Sequence, residues 1–237
     1  MRICILVTGE PPAPLDNQFG DYPSMFERLI KPAAPHFRFS VANPLRGEKL
    51  PAVSDFDGLL VTGSPAGVYE EHEWIAPCAE LIKRTAAAPK PQVGICFGHQ
   101  LMAQAFGGKV IKSDRGWGVG VHDYRISQTA EWMSPPSNQI ACAVSHQDQV
   151  IEVPMGAKIL GGSDFCPMGV LEYAQGPAMS FQQHPEFMHE YGTALLRLRE
   201  DRIPADRFGV GIDSYNNRTD RELMGKWIAN FFMMHGN

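Results

Sequence analysis

The chain has 237 residues, with 21 Lys and Arg against 26 Asp and Glu, for a formal charge of −5. Hydrophobic residues make up 44% and charged residues 20%, the balance of a globular protein that can bury a core without staples. An acidic chain with no run of Lys or Arg has no electrostatic footprint for nucleic acid, so that class of partner is set aside.

No stretch approaches the roughly 18 apolar residues of a membrane span. The N-terminal apolar run, residues 3–7, is shorter than the about 7–15 residues of a signal-peptide core. No membrane partner is expected. The cysteines Cys4, Cys78, Cys96, Cys142 and Cys166 are odd in number and form no CxxC pair. That argues against a disulfide framework or a structural zinc site and fits a reducing cytoplasm.

In chain order, residues 3–7 read as a buried strand and 22–30 as a short helix. Residues 37–41 and 58–62 read as two further strands. Residues 74–87 read as a helix with Pro77 in its first turn. Residues 92–95 form a strand that runs into a helix over about 98–106. This alternation predicts parallel βαβ units under helical cover. Short strand-like runs at 119–127, 140–144, 158–160 and 170–173 suggest an antiparallel or mixed addition. A strand at 178–182 and helices at 187–199 and 221–233 close the pattern. Residues 200–219 read as a long connection. No repeat or linker divides the chain, so 1–237 is expected to be one α/β domain. The Pro-rich stretch 9–20 reads as a long loop at the carboxyl edge of the sheet, either a surface insertion or a wall of a ligand site.

The informative stretch is Pro91-Gln92-Val93-Gly94-Ile95-Cys96-Phe97-Gly98-His99-Gln100. An apolar strand runs into a cysteine with glycines two residues to either side, and a helix follows at once. This is the cysteine form of a nucleophile elbow, whose tight turn wants residues without side chains beside the nucleophile. The positive end of the helix favours a thiolate there. A bare GxCxG also suits a buried core cysteine. His184-Pro185-Glu186 supplies the second half. Proline pushes the preceding residue to extended geometry, so His184 and Glu186 face one way, and a carboxylate there can hold an imidazole in its working tautomer. A glycine spacing at Gly116–Gly120 lacks the dinucleotide pattern, and Gly108-Lys109 is followed by Val110, so no P-loop is read. His184 and His189 are not at the spacing of a helical zinc pair, so no metal is expected.

The stretch 94–100 followed by His-Pro-Glu at 184–186 resembles the class I, triad-type glutamine amidotransferase domain, over most of the chain. The resemblance implies a flavodoxin-like three-layer fold with a mixed, mostly parallel central sheet and a small antiparallel addition. It also implies hydrolysis of a glutamine side-chain amide through a γ-glutamyl thioester, with release of ammonia and no cofactor. Carried over by position, Cys96 is the nucleophile, His184 the general base and acid, and Glu186 the orienter of His184. Gly63-Ser64-Pro65 stands where the family usually has Gly-Gly-Pro, so the resemblance implies an oxyanion hole from Gly63 or Ser64 with the N–H of Phe97. It further implies substrate contacts from Gln100, and from Ser145 and His146 in a Ser-His-Gln-Asp stretch similar to the Ser-His-Gly-Asp of GMP synthetase amidotransferase domains. His99 reads as a packing or hydrogen-bonding residue.

Three readings follow. The chain is a free-standing amidotransferase serving a separate synthetase subunit; or it resembles the γ-glutamyl peptidases and cleaves glutathione-like γ-glutamyl compounds; or it is a binding or redox-sensing protein in which Cys96 is oxidised.

Overall fold

The computed structural model describes residues 1–236. The first strand, β1 (Arg2–Leu6), sets the layering. Its apolar residues alternate between two cores: Ile3 and Ile5 pack into one and Cys4 and Leu6 into the other. A strand buried on both faces must lie inside a sheet covered on both sides.

That sheet has nine strands in the order β2 (Arg38–Ala42), β1, β3 (Gly58–Val61), β4 (Gln92–Ile95), β11 (Ala178–Phe181), β10 (Val170–Tyr173), β9 (Lys158–Gly162), β6 (Gly118–Ile126) and β7 (Gln139–His146). The pairings from β2 through β11 are parallel, and those from β11 to β7 are antiparallel. The expected antiparallel runs thus extend the main sheet. On one face lie α2 (Tyr22–Ile30), α5 (His189–Leu198) and α7 (Arg221–His235); α3 (Ile75–Ala87) and α4 (Phe97–Ala105) cover the other. In α7, Trp227, Phe231 and Phe232 are buried, and burying each such side chain contributes about 1.5–3 kcal/mol. Trp227 also donates its indole N–H to the Pro135 carbonyl at 2.9 Å.

The structure corrects the expected elements in four places. Residues 9–20 are not all loop, since they contain the short helix α1 (Leu15–Phe19). Residues 200–219 hold a helix, α6 (Ala205–Ser214), whose Gly209 and Gly211 depress its intrinsic helix propensity. Its Phe208 and Ile212 pack on the core, so tertiary burial overrides that propensity. The helix expected from 187 begins at His189, because Phe187 N–H still closes a turn onto the His184 carbonyl at 3.2 Å. Finally, β5 (Lys109–Lys112) and β8 (Asp148–Glu152) form a separate antiparallel pair that only long-range pairing defines.

The parallel strands β1, β3, β4 and β11 point their carboxyl ends to one rim, the edge at which open α/β sheets hold ligands.

Candidate active site

Cys96 stands between β4 and α4 with φ 52° and ψ −101°, the only non-glycine residue at positive φ among the described residues. Such a conformation costs on the order of 1–3 kcal/mol and is kept only where the surroundings enforce it. Here they do. Cys96 N–H donates to the Phe181 carbonyl at 2.8 Å, and the Cys96 carbonyl accepts from Gln100 N–H at 3.0 Å as the helix begins. The glycines two residues away are dictated by space. A Cβ on Gly94 would sit 2.5 Å from the Gly98 carbonyl oxygen, and one on Gly98 would collide with the Val61 carbonyl. The elbow expected from the GxCxG spacing is therefore formed.

His184 follows the end of β11, and its N–H is tied to the Ala143 carbonyl at 2.8 Å. Its ring lies flat against Phe187, with centroids 4.0 Å apart and planes 7° apart. Nδ1 meets Glu186 Oε1 at 2.7 Å, and both side chains are buried. Burial pulls the imidazole pKa down, but the charges of Cys96 and Glu186 and hydrogen bonds to both outweigh it. The net result is a pKa pushed up to about 10. The Glu186 carboxylate on one side and Cys96 on the other thus favour the protonated ring. Around it stand Tyr22 and Tyr191, whose hydroxyls meet at 3.2 Å and whose rings pack on Phe187.

The turn after β3 approaches the same point. A Cβ placed on Gly63 would lie 2.8 Å from His184 Cε1 and 3.6 Å from Cys96 Cβ, so only glycine lets this backbone pass the ring. The turn is anchored from below: Thr8 Oγ1 donates to the Thr62 carbonyl at 2.8 Å, and the same carbonyl accepts from Gly98 N–H at 3.1 Å. The N–H groups of Gly63, Ser64 and Phe97 have no backbone acceptor among the described residues. The Ser64 hydroxyl is turned to its own loop and accepts from Ala66 N–H at 3.1 Å.

Cys96, His184, Ser64, Gln100, Ser145 and His146 all line one cavity of about 480 Å³. Gln100 is buried, and its amide nitrogen donates to the Asp148 carbonyl at 2.9 Å and to Gln182 Oε1 at 3.2 Å. His146 donates from Nδ1 to the Asp148 carbonyl at 3.0 Å, and burial pushes its pKa down to about 3, leaving it neutral. His99 is buried behind the elbow, where Nδ1 meets Ser180 Oγ at 2.8 Å; burial pushes its pKa also down to about 3. Among the five cysteines, all free, Cys96 is the one that lines the cavity. Burial drives the thiol of Cys4 up to about 11 and those of Cys78 and Cys166 up to about 12. No group of three or more His, Cys, Asp or Glu side chains suited to a metal converges among the described residues.

Sequence reasoning missed five residues around the site. Gln182 sends its amide nitrogen to Cys96 Sγ at 3.6 Å, and the polar pair Gln182-Gln183 closing an apolar strand was its available signal. The Tyr22–Tyr191 pair and the arginines Arg199 and Arg202 at the cavity wall have no local signal, because folding alone brings them there. Among the described residues, no helix is long and apolar enough to cross a membrane.

The profile of the family described as glutamine amidotransferase class-I matches residues 36–199. One subunit of the glutamine-hydrolysing GMP synthase of Archaeoglobus fulgidus is 31% identical over 180 residues, which cover 76% of this chain and 91% of its relative. Gamma-glutamyl peptidase 2 of Arabidopsis thaliana is 30% identical over 156 residues, 65% of this chain and 61% of the peptidase. The crystal structure of a glutamine amidotransferase from Thermotoga maritima superposes with a TM-score of 0.76 over 98% of this chain and 96% of that one. At 16% identity that likeness speaks for the fold alone.

Proposed function

We propose that this chain, which belongs to the class I glutamine amidotransferase family, hydrolyses a γ-glutamyl amide through a thioester on Cys96. The observation that carries the reading is the strained Cys96 held beside an imidazole that is itself clamped by Glu186 at 2.7 Å. A backbone kept at unfavourable dihedrals, together with a buried charged pair, is what a nucleophile poised for attack requires.

The steps follow from the groups present. Cys96 Sγ attacks the amide carbon, and the carbonyl oxygen becomes an oxyanion. The N–H groups of Phe97 and of the Gly63-Ser64 turn, which no backbone acceptor engages, donate to that oxygen. Donors of this kind are worth on the order of 3–4 kcal/mol in the transition state. His184 gives its Nε2 proton to the nitrogen as the C–N bond breaks, releasing ammonia or a larger amine and leaving the thioester. It then takes a proton from water, whose oxygen attacks the thioester carbon; the C–S bond breaks, and glutamate and the thiolate are restored. Glu186 holds Nδ1 throughout, which keeps Nε2 toward the sulfur. Gln100, Ser145 and His146 form the wall that receives the γ-glutamyl moiety.

With glutamine as substrate, the ammonia is passed to an acceptor on a separate synthetase. A second reading, a peptidase acting on γ-glutamyl amines, is favoured by a cavity of about 480 Å³. That volume belongs to the size class of sites that enclose larger ligands. Either activity suits a reducing cytoplasm, where Cys96 stays reduced. Steady-state release assays with glutamine, glutathione and γ-glutamyl amines test both readings. Turnover of at least one of them, abolished in Cys96→Ser, is expected. Full activity in Cys96→Ser ends the proposal.

A further inference from the structure

The charges around the cavity are unevenly matched. Its carboxylates are engaged: Glu10 pairs with Arg46 at 2.8 Å and accepts from Asn43, Glu70 meets His72 at 2.9 Å and the Gly67 N–H at 3.0 Å, and Asp148 accepts from the Tyr69 hydroxyl at 3.2 Å. Its guanidinium groups are not. Neither Arg199 nor Arg202 is in an ion pair with any carboxylate among the described residues, yet both line the cavity that Cys96 opens into.

Arg199 is also held in place. It caps α5, its Nη1 donates to Ser145 Oγ at 2.8 Å, and its carbonyl accepts from Arg202 N–H at 2.9 Å in the turn Glu200–Arg202. That single side-chain bond leaves most of the guanidinium fork unused. The segment beyond it is fastened to the sheet. In α6, Ser214 Oγ accepts from Val121 N–H at 2.8 Å, and Arg207 donates to the Trp117 carbonyl at 2.7 Å. Trp117 is itself part of the cavity wall. Two unpaired guanidiniums on a braced turn, facing a cavity whose acids are already satisfied, form a preset anion site.

We propose that Arg199 and Arg202 are a specificity-determining subsite for a free carboxylate on a γ-glutamyl substrate, in the cavity they share with Cys96. The inference rests on the hydrolase reading for its substrate class but not for its test. The carboxylate has two sources, the α-carboxylate of the glutamyl moiety or that of the amine it is joined to, as in a γ-glutamyl amino acid.

The test is binding, measured by calorimetry on the full-length Cys96→Ala chain, so that it does not depend on turnover. Three probes are compared: γ-glutamylglycine, its C-terminal amide, and its α-amide. The background carries, in turn, Arg199→Gln, Arg202→Gln or Arg199→Lys. Without an arginine substitution, the Cys96→Ala chain should prefer the dicarboxylate over one of the two amides by about 10- to 100-fold, the range for charge-assisted hydrogen bonds. The amide that loses affinity identifies the source. In Arg199→Gln that preference should collapse to within a few-fold, with the capped probe binding as before. Arg199→Lys should restore only part of it, because a point charge lacks the fork. Arg202 is exposed, so Arg202→Gln carries little risk to folding and should give a smaller loss of the same kind. Equal affinity for all three probes, no measurable binding of any, or a preference untouched by both Gln substitutions overturns the subsite. Absence of turnover in the unsubstituted chain, with the binding preference intact, overturns only the hydrolase reading.

Discussion

Replacing Gly63 by alanine tests the geometry of the site at its tightest point. The added methyl would lie 2.8 Å from His184 Cε1, where real Cβ contacts essentially never fall below 3.0 Å and ordinary contact begins near 3.4 Å. The ring or the turn must therefore yield by between 0.2 and 0.6 Å. Neither is free to do so. The ring is stacked on Phe187 at 4.0 Å and bonded to Glu186 at 2.7 Å, and the turn is tied through Thr8 and Thr62 to β1. A displacement of about 1 Å at a reacting group costs on the order of 100-fold in rate. Gly63→Ala should accordingly lose on the order of 10- to 100-fold in kcat/KM toward a chromogenic γ-glutamyl anilide. The thermal midpoint should fall as well, because the methyl is overpacked against the buried His184 ring, by about 2–4 °C for each kcal/mol of strain. Ser64→Gly is the matched control. Ser64 has a side chain already turned to its own loop, so that change should leave kcat/KM within about threefold. A Gly63→Ala protein that retains wild-type kcat/KM would falsify the claim that this backbone passes the ring with no room to spare.

Other consequences are simpler to check. Cys96→Gly should be more stable than Cys96→Ala by about 1 kcal/mol in urea titrations, since only glycine accepts φ 52° without strain; equal stabilities would remove the strain argument. Activity should fall at alkaline pH as His184 loses its proton near pH 10. Glu186→Gln removes one of the groups that raise that pKa, so the alkaline limb of kcat/KM should move to lower pH, and an unmoved limb would reduce Glu186 to a packing role. His99 and His146 stay neutral in the fold down to about pH 3, whereas the unfolded chain protonates them near 6.5. The unfolded state then binds the extra protons, so stability should drop as pH falls from about 6.5 toward 3. His146→Asn should flatten that slope in urea midpoints measured at pH 7, 6 and 5.

The elbow was legible in the sequence because its requirements are local. A cysteine forced to positive φ between a strand and a helix leaves no room for side chains at Gly94 or Gly98, and that exclusion writes itself into five consecutive residues. His184 and Glu186 were legible for a similar reason, since the intervening proline fixes their common direction over one short segment. The turn at Gly63 was only half legible. Its glycine answers to a ring more than a hundred positions away, so the residue type shows in the sequence while the cause does not. Helix α6 was hidden because its two glycines weaken the helical signal that docking on β6 then overrules. The arginines were invisible for a further reason. Arg199 gains its meaning from Ser145 on β7 and from having no carboxylate partner among the described residues, and neither fact is written near residue 199. On the proposed reading, the elbow and the His-Pro-Glu segment are encoded locally, where backbone geometry dictates residue type, whereas the arginine subsite is encoded in long-range juxtaposition.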